Sequence, residues 1–188
     1  MDGTHMNVVK PLALLLGAAG VFSLYFALQD YRGTQTIQLS KKLFVDFEFD
    51  RAIALSDEAT RISPLDAEAY LNQAYIQGTL WIYRKEDSYR KAMDQAYAKA
   101  QQLNPKNASY HYQQASIYFE GQDFTKAITH IDQAITLDPL AAAYLYEKGT
   151  YLEAQNRKAE ALALYRRAYQ LNDSSIILQD IQRLEGQP

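Results

Sequence analysis

"FTKAITHIDQAITLDPLAAAY" runs from Phe124 to Tyr144, and "KAEALALYRRAYQLNDSSIIL" runs from Lys158 to Leu178. The two share little wording, yet Ala127 recurs as Ala161, Ala134 as Ala168 and Leu137 as Leu171, each thirty-four residues on. The series continues outward from this pair. "ISP" closes at Pro64, "LNP" at Pro105 and "LDP" at Pro139, and "LND" takes the same place at Asp173, at spacings of forty-one, thirty-four and thirty-four residues.

Each block reads as two helical stretches. From Ala108, "ASYHYQQASIYFE" comes first, then the turn "GQD", then "FTKAITHIDQAITL". Gly121 is expected to stop the first helix, and Asp123 stands where an N-cap carboxylate accepts from the free N–H groups of the second. A proline ends a block because it lacks an N–H and keeps the preceding residue out of helical geometry. Two antiparallel helices on a short turn come close only where the facing positions are small. Ala115 and Ala127 are read as that approach and Ala134 as the seat of the next hairpin; Gly149, Ala161 and Ala168 repeat the arrangement one block later. A larger side chain at any of them is expected to overpack, at a cost of about 1–3 kcal/mol. One hairpin cannot bury its apolar face alone, so the blocks must stack.

These small residues, the aromatics Tyr118 and Phe124 and the closing "LDP" together resemble the tetratricopeptide repeat family. The next block carries Gly149, Ala161, Tyr165, Ala168 and Leu171, but has Leu152 where the family has tyrosine and Asp173 where it has proline. The block 66–106 has Tyr70, Ala74, Tyr97, Ala100, Leu103 and Pro105, with seven extra residues around "GTLWIYRKEDSYR". Seven residues make about two helical turns, so the helices can lengthen without changing the faces they present. In 33–65 a linker leads into a degenerate first unit, whose second helix is read from Ala52, Ala59, Ile62 and Pro64. In 174–188, Ser174 is placed to cap a last helix whose Ile177, Ile181 and Leu184 form one stripe and cover the open end of the stack. The resemblance covers Asp46 to Gly186. It implies an all-α solenoid of helix-turn-helix repeats (66–106, 107–140 and 141–173) with a C-terminal capping helix, preceded by one transmembrane helix.

That transmembrane helix is read over 7–32. "PLALLLGAAGVFSLYFALQ", Pro11 to Gln29, carries no charge, and about 20 apolar residues in a helix cross a hydrocarbon core about 30 Å thick. A cleaved signal peptide wants a small-x-small site, which "FALQDY" poorly offers, and a buried soluble helix wants a polar face, which Leu14 to Ala19 lack. Gly17, Ala18, Ala19 and Gly20 offer a small face for packing on another membrane helix. The leading "MDGTHM" (1–6) is read as an expression-vector remnant, with the native start at Met6. Orientation stays open between two readings. A Lys/Arg count, with Lys10 before the span and Arg32, Lys41 and Lys42 after it, keeps the repeats cytoplasmic. A short basic N-terminus feeding an apolar run is instead a signal-anchor layout, which exports them to the periplasmic side of an inner membrane; export is the reading taken.

Of the 188 residues, 48% are hydrophobic and 22% charged, which favours folding over disorder. The net charge of −3 gives no basic footprint for nucleic acid. Cysteine is absent, which removes disulfides, thiolate chemistry and Cys-based zinc sites. The sequence has no phosphate-cradling glycine loop, no Gly-x-Ser-x-Gly elbow and no His-Glu-x-x-His pair. His111 and His130 lie nineteen residues apart on different helices and read as surface histidines. "DFEFD" (Asp46 to Asp50) spaces its carboxylates at i, i+2 and i+4, so they do not share one helical face; it reads as a solvated helix start with phenylalanines packing inward. Trp81 and Tyr83 beside "YRKEDSYRK" suit either a contact patch or packing of the lengthened helices. No catalytic set, metal site or cofactor is expected.

In the tetratricopeptide family the first helices of successive units line a concave face that holds a peptide. Carried over position by position, the resemblance implies Asn72 and Tyr75 from one unit and Tyr112, Gln113, Ser116, Phe119 and Glu120 from the next. Tyr146, Glu147, Thr150 and Glu153 come from the last. This surface is aromatic, amide-bearing and acidic, which disfavours the carboxylate-gripping mode of the family's chaperone-tail binders and suits a polar or basic segment. The expected function is a non-catalytic scaffold or assembly factor at a membrane, like proteins of similar layout in envelope machinery. The alternative is a permanent accessory subunit of a membrane complex, packed through its transmembrane helix. An enzyme is the remaining class, and the sequence offers it no convergent set of titratable groups.

Overall fold

The computed structural model describes residues 6–186, and the side chains of residues 6–16 and 18 lie outside that description. Among the described residues the chain is helical, without strands: α1 (Met6–Val45), α2 (Phe49–Ile62), α3 (Ala67–Arg84), α4 (Asp87–Leu103), α5 (Ala108–Glu120), α6 (Phe124–Leu137), α7 (Ala142–Ala154), α8 (Lys158–Leu171) and α9 (Ser175–Glu185). Contacts divide it into two compact units, Met1–Gln73 and Ala74–Pro188, with the boundary inside α3.

In the first unit α1 and α2 form a hairpin. The stripe that holds them together is small and polar as much as apolar. A Cβ on Gly33 would stand 2.1 Å from Ser63 Oγ, so the end of α2 meets α1 at its bare backbone. Ser40 Oγ donates to the Ala52 carbonyl at 2.9 Å. Ile37, Ala59 and Ala69 close the core, and Gln73 Nε2 reaches Asp57 Oδ1 at 2.7 Å. The linker expected at the start of 33–65 is therefore helix, and the first unit has both of its helices. Gly33 and Ser40 are not apolar residues, and a search for apolar periodicity passes over them.

The second unit repeats the hairpin. Helices α3 and α4 have 18 and 17 residues against 13 and 14 for α5 and α6, so the extra residues lengthen the helices, as expected. Ala115, Ala127, Ala134, Ala161 and Ala168 are completely buried. At Gly149 an added Cβ would stand 2.5 Å from the Tyr165 ring, and at Gly78 it would stand 2.8 Å from Ile117 Cδ1. Ile177, Ile181 and Leu184 of α9 pack with Leu145, Leu152, Ala161, Tyr165 and Ala168, so the expected stripe closes this end of the core. The prolines occupy tight turns: the Asn107 N–H reaches the Asn104 carbonyl at 3.2 Å around Pro105, and the Ala141 N–H reaches Asp138 at 3.4 Å around Pro139. Where Asp173 replaces proline the turn tightens, and the Ser174 N–H reaches Asn172 at 2.8 Å.

Helix ends bear out the stop at Gly121 and correct two expectations. Gly121 has ordinary right-handed geometry, and the left-handed residue is Gln122, at φ 67°. The Asp123 N–H then reaches back to the Tyr118 carbonyl at 2.9 Å, closing the helix end in the six-to-one pattern of a Schellman cap. Gly121 is small for a different reason, because Trp81 Cη2 would lie 2.3 Å from its Cβ. Asp123 does cap α6, accepting from the Lys126 N–H at 3.2 Å. Ser174 stands at the N-cap of α9, but its side chain makes no capping bond. Phe47 does not pack inward; it is the left-handed residue of the α1–α2 turn, at φ 63°, and is exposed.

Among the described residues no helix is long and apolar enough to cross a membrane. Of the run Pro11 to Gln29, the side chains of residues 11–16 and 18 lie outside the described residues, as do residues 1–5 of "MDGTHM". A left-handed non-glycine residue costs about 1–2 kcal/mol, and glycine gives part of that back as chain entropy. Gln122→Gly is accordingly expected to stabilise the full-length chain by about 0.5–1 kcal/mol, read as a higher urea midpoint with unchanged helicity.

Candidate functional site

Within the second unit, α5, α7 and α9 lie side by side as the first helices of successive hairpins, and tyrosines and carboxylates bridge them. Between α5 and α7, the Tyr112 and Tyr144 rings are 5.2 Å apart, and Phe119 stacks on Tyr151 at 4.4 Å. Ser116 Oγ lies 3.3 Å from the Tyr151 hydroxyl. Burial holds the Glu147 carboxyl above its usual range, an effect the neighbouring Tyr112 hydroxyl partly offsets. Between α7 and α9, the Tyr146 hydroxyl donates to Asp180 Oδ2 at 2.7 Å, and Arg183 bridges Glu153 at 2.5 Å and Asp180 at 2.8 Å. The Tyr165 hydroxyl donates to Glu153 Oε2 at 2.9 Å. The guanidinium of Arg183 holds the Glu153 carboxyl below its ordinary range, and burial with the Asp180 bond pushes the Tyr146 hydroxyl up to about 12.

The expected groove residues therefore fall into four groups. Tyr112, Ser116, Phe119 and Glu147 meet along the α5–α7 seam. Tyr146, Thr150 and Glu153 turn toward α8 and α9, where Thr150 Oγ1 lies 3.4 Å from the Tyr165 hydroxyl. Gln113 and Glu120 are exposed on α5, and Tyr75 is exposed on α3. Asn72 belongs to the first unit and is buried: its Nδ2 donates to Ser40 Oγ at 3.2 Å, and its Oδ1 has no hydrogen-bond partner among the described residues. Asn72 is thus a core residue and not part of a surface groove. Gly17, Ala19 and Gly20 are exposed along α1, with no atom within 4 Å of a Cβ on either glycine; Ala18 lies outside the described side chains. The expectation did not include Tyr144, Tyr151, Asp180 or Arg183. The repeat itself signals one of them, because Asp180 stands thirty-four residues after Tyr146 and sixty-eight after Tyr112.

The two histidines are not independent surface residues. His111 and His130 stack with centroids 6.3 Å apart, and His130 lies parallel to the Tyr118 ring at 5.4 Å. Asp94 of α4 anchors this cluster, accepting from the Tyr118 hydroxyl at 2.5 Å and from Gln114 Nε2 at 3.0 Å. Lys126 Nζ donates to the Tyr118 oxygen at 3.0 Å and lies 3.8 Å from Asp94 Oδ2. Gln101 approaches His111 Nδ1 at 3.3 Å, and Gln133 approaches His130 Nδ1 at 3.1 Å. Among the described residues no three His, Cys, Asp or Glu side chains converge on a point where a metal could sit. Trp81 is buried against Tyr118, at 5.5 Å, whereas Tyr83 is exposed; of the two readings for this pair, packing holds for Trp81.

Comparison with known proteins agrees with this geometry. Residues 112–176 match the family model of the tetratricopeptide repeat. Tetratricopeptide repeat protein 37 of Xenopus laevis is 30% identical over 127 residues, which span 63% of this chain and 8% of that protein. The solved structure of Pseudomonas aeruginosa pilF is similar at TM-score 0.61 and 19% identity, over 83% of this chain and 68% of the other. MamA from Desulfovibrio magneticus RS-1, residues 41 to the end, is similar at TM-score 0.60 and 14% identity, over 81% and 83%. The fold is thus an all-α tetratricopeptide-type stack, a class whose members mediate protein–protein interaction.

Burial lowers the proton affinity of both His111 and His130. The unfolded chain then binds protons that the folded chain refuses, so stability is full above the ordinary histidine value of about 6.5 and is lost as pH falls below it. Melting temperature should drop between pH 7 and pH 5, and His111→Gln with His130→Gln should flatten that part of the profile.

Proposed function

We propose that the chain is a non-catalytic scaffold or assembly factor that holds a partner polypeptide against the α5–α7 wall. The observation that carries this reading is the charge of that wall. Helix α5 contains no lysine or arginine and exposes Gln113 and Glu120 beside Tyr112 and Glu147. Lys148 of α7 is taken up by Asp132, at 2.6 Å, and Arg183 is taken up by two carboxylates. Ring faces, amides and unneutralised carboxylates suit a polar or basic segment, because cations bind both carboxylates and the faces of aromatic rings.

The uncharged run Pro11 to Gln29 supports a membrane tether, with the repeats on the exported side of an inner membrane. Tethering would raise the effective concentration of the wall toward a membrane-embedded partner. The exposed small face at Gly17, Ala19 and Gly20 supports the second reading, permanent packing of α1 on another membrane helix within a complex.

Copurification of the full-length chain from solubilised membranes tests the scaffold reading. Tyr112→Ala with Glu147→Lys, and separately Glu120→Lys, should reduce recovery of a stoichiometric partner at least tenfold, about 1.4 kcal/mol of binding, with unchanged helicity. Undiminished recovery with both variants contradicts the wall as the binding surface.

A further inference from the structure

A cleft of about 660 Å³ lies in the first unit between α1 and the α2–α3 turn, lined by Tyr25, Phe26, Arg32, Arg61, Pro64 and Leu65 among others. We infer that this corner is a membrane-interface seat: the Pro64–Leu65 turn, beside the Tyr25–Phe26 face of α1, sits where the hydrocarbon core of a bilayer meets its headgroup layer. The inference rests on the proposed tether and specifies how the first unit meets the bilayer.

Three observations carry it. First, α1 is one uninterrupted helix from Met6 to Val45, so the uncharged run and the first helix of the first hairpin are the same rod. A tether of this kind fixes orientation, whereas a flexible linker would not. Second, the hairpin clasps this rod close to where the uncharged run ends. Ser63 sits on the bare backbone of Gly33, four residues beyond Gln29, a rise of about 6 Å. The headgroup layer is about 5–8 Å deep on each side of the core. The turn following Ser63 lies beside Tyr25, Phe26 and Gln29, the last residues of the run, so a spanning run places it at the boundary between the core and that layer.

Third, the side chains suit that boundary. Leu65 is 82% exposed, and Tyr25 and Phe26 of the same cleft are also exposed, a grouping of apolar and amphipathic groups that is costly in water and at home at an interface. Arg32 and Arg61 can keep guanidinium groups at phosphate depth while their stems stay apolar. Asp30, Glu58 and Asp66 line the same cleft, so the mixture has no net basic character. The occupant is therefore the ordinary zwitterionic interface and not a selected anionic lipid.

Exposure of Leu65 alone would mean little, because Leu140 occupies the matching place after Pro139 and is 72% exposed. Val45, at the other end of α1 and 73% exposed, makes a control within the same unit, sixteen residues or about 24 Å beyond Gln29. The chain has no cysteine, so single-cysteine labelling is clean. The full-length chain, carrying Val21→Cys, Leu65→Cys or Val45→Cys with an environment-sensitive fluorophore, is reconstituted into phosphatidylcholine nanodiscs containing nitroxide lipids. Labels at 21 and 65 are expected to lose at least half of their emission to the nitroxide, and the label at 45 to keep its emission. Quenching at 21 but not at 65 overturns the seat and leaves the tether standing. Quenching at neither overturns both. Quenching at all three shows indiscriminate adsorption and overturns the seat.

Discussion

The structure depends on helices approaching one another more closely than ordinary side chains allow. At Gly149 there is no room for a methyl group, because the Tyr165 ring occupies it. Ala127, Ala134, Ala161 and Ala168 meet the same constraint and are completely buried. Each such contact excludes water over two helix surfaces, and close packing returns dispersion energy that a gap would forfeit. The constraint is why the spacing persists from block to block while the rest of the wording drifts. A single hairpin gains little from it; a stack of hairpins gains it at every junction.

Close approach also sets the chemistry of the surface. Because α7 and α9 lie side by side, a hydroxyl on one helix reaches a carboxylate on the next, as Tyr146 reaches Asp180. Bonds of this kind stiffen the wall, and a wall ordered before a ligand arrives loses less entropy on binding. On the other side of α5, Asp94, Tyr118, Lys126 and the stacked histidines form a second polar seam. Buried polar groups need satisfied partners, and here almost every donor finds an acceptor on a neighbouring helix. The two seams leave Gln113 and Glu120 as the groups on α5 that face solvent without a structural duty in these networks.

Much of the fold was legible in the sequence because small residues at a fixed spacing, on either side of a short turn, demand that two helices lie close together. The long α3–α4 hairpin, the α9 stripe and the buried alanines all followed from it. The first hairpin was only half legible, since Gly33 and Ser40 do the work that apolar residues do elsewhere. Gly121 does end α5, but glutamine takes the left-handed position that glycine usually holds, and Gly121 makes room for Trp81. The wall was legible in composition but not in direction. Repeat position alone cannot say that Tyr146 and Glu153 turn toward a capping helix, because the cap contributes Asp180 and Arg183 outside the matched repeats. Asn72 shares its repeat register with exposed positions, yet faces Ser40 across the first unit. The pairing of His111 with His130 needed three helices at once, which no linear spacing encodes.

The most direct measurement compares the urea midpoints of full-length Ala134→Leu and Ala143→Leu, since Ala134 is fully buried at a hairpin junction and Ala143 is exposed on α7. If close helix approach holds the stack together, the first variant loses about 1–3 kcal/mol and the second is unchanged within about 0.5 kcal/mol. Equal midpoints for the two variants would contradict the account.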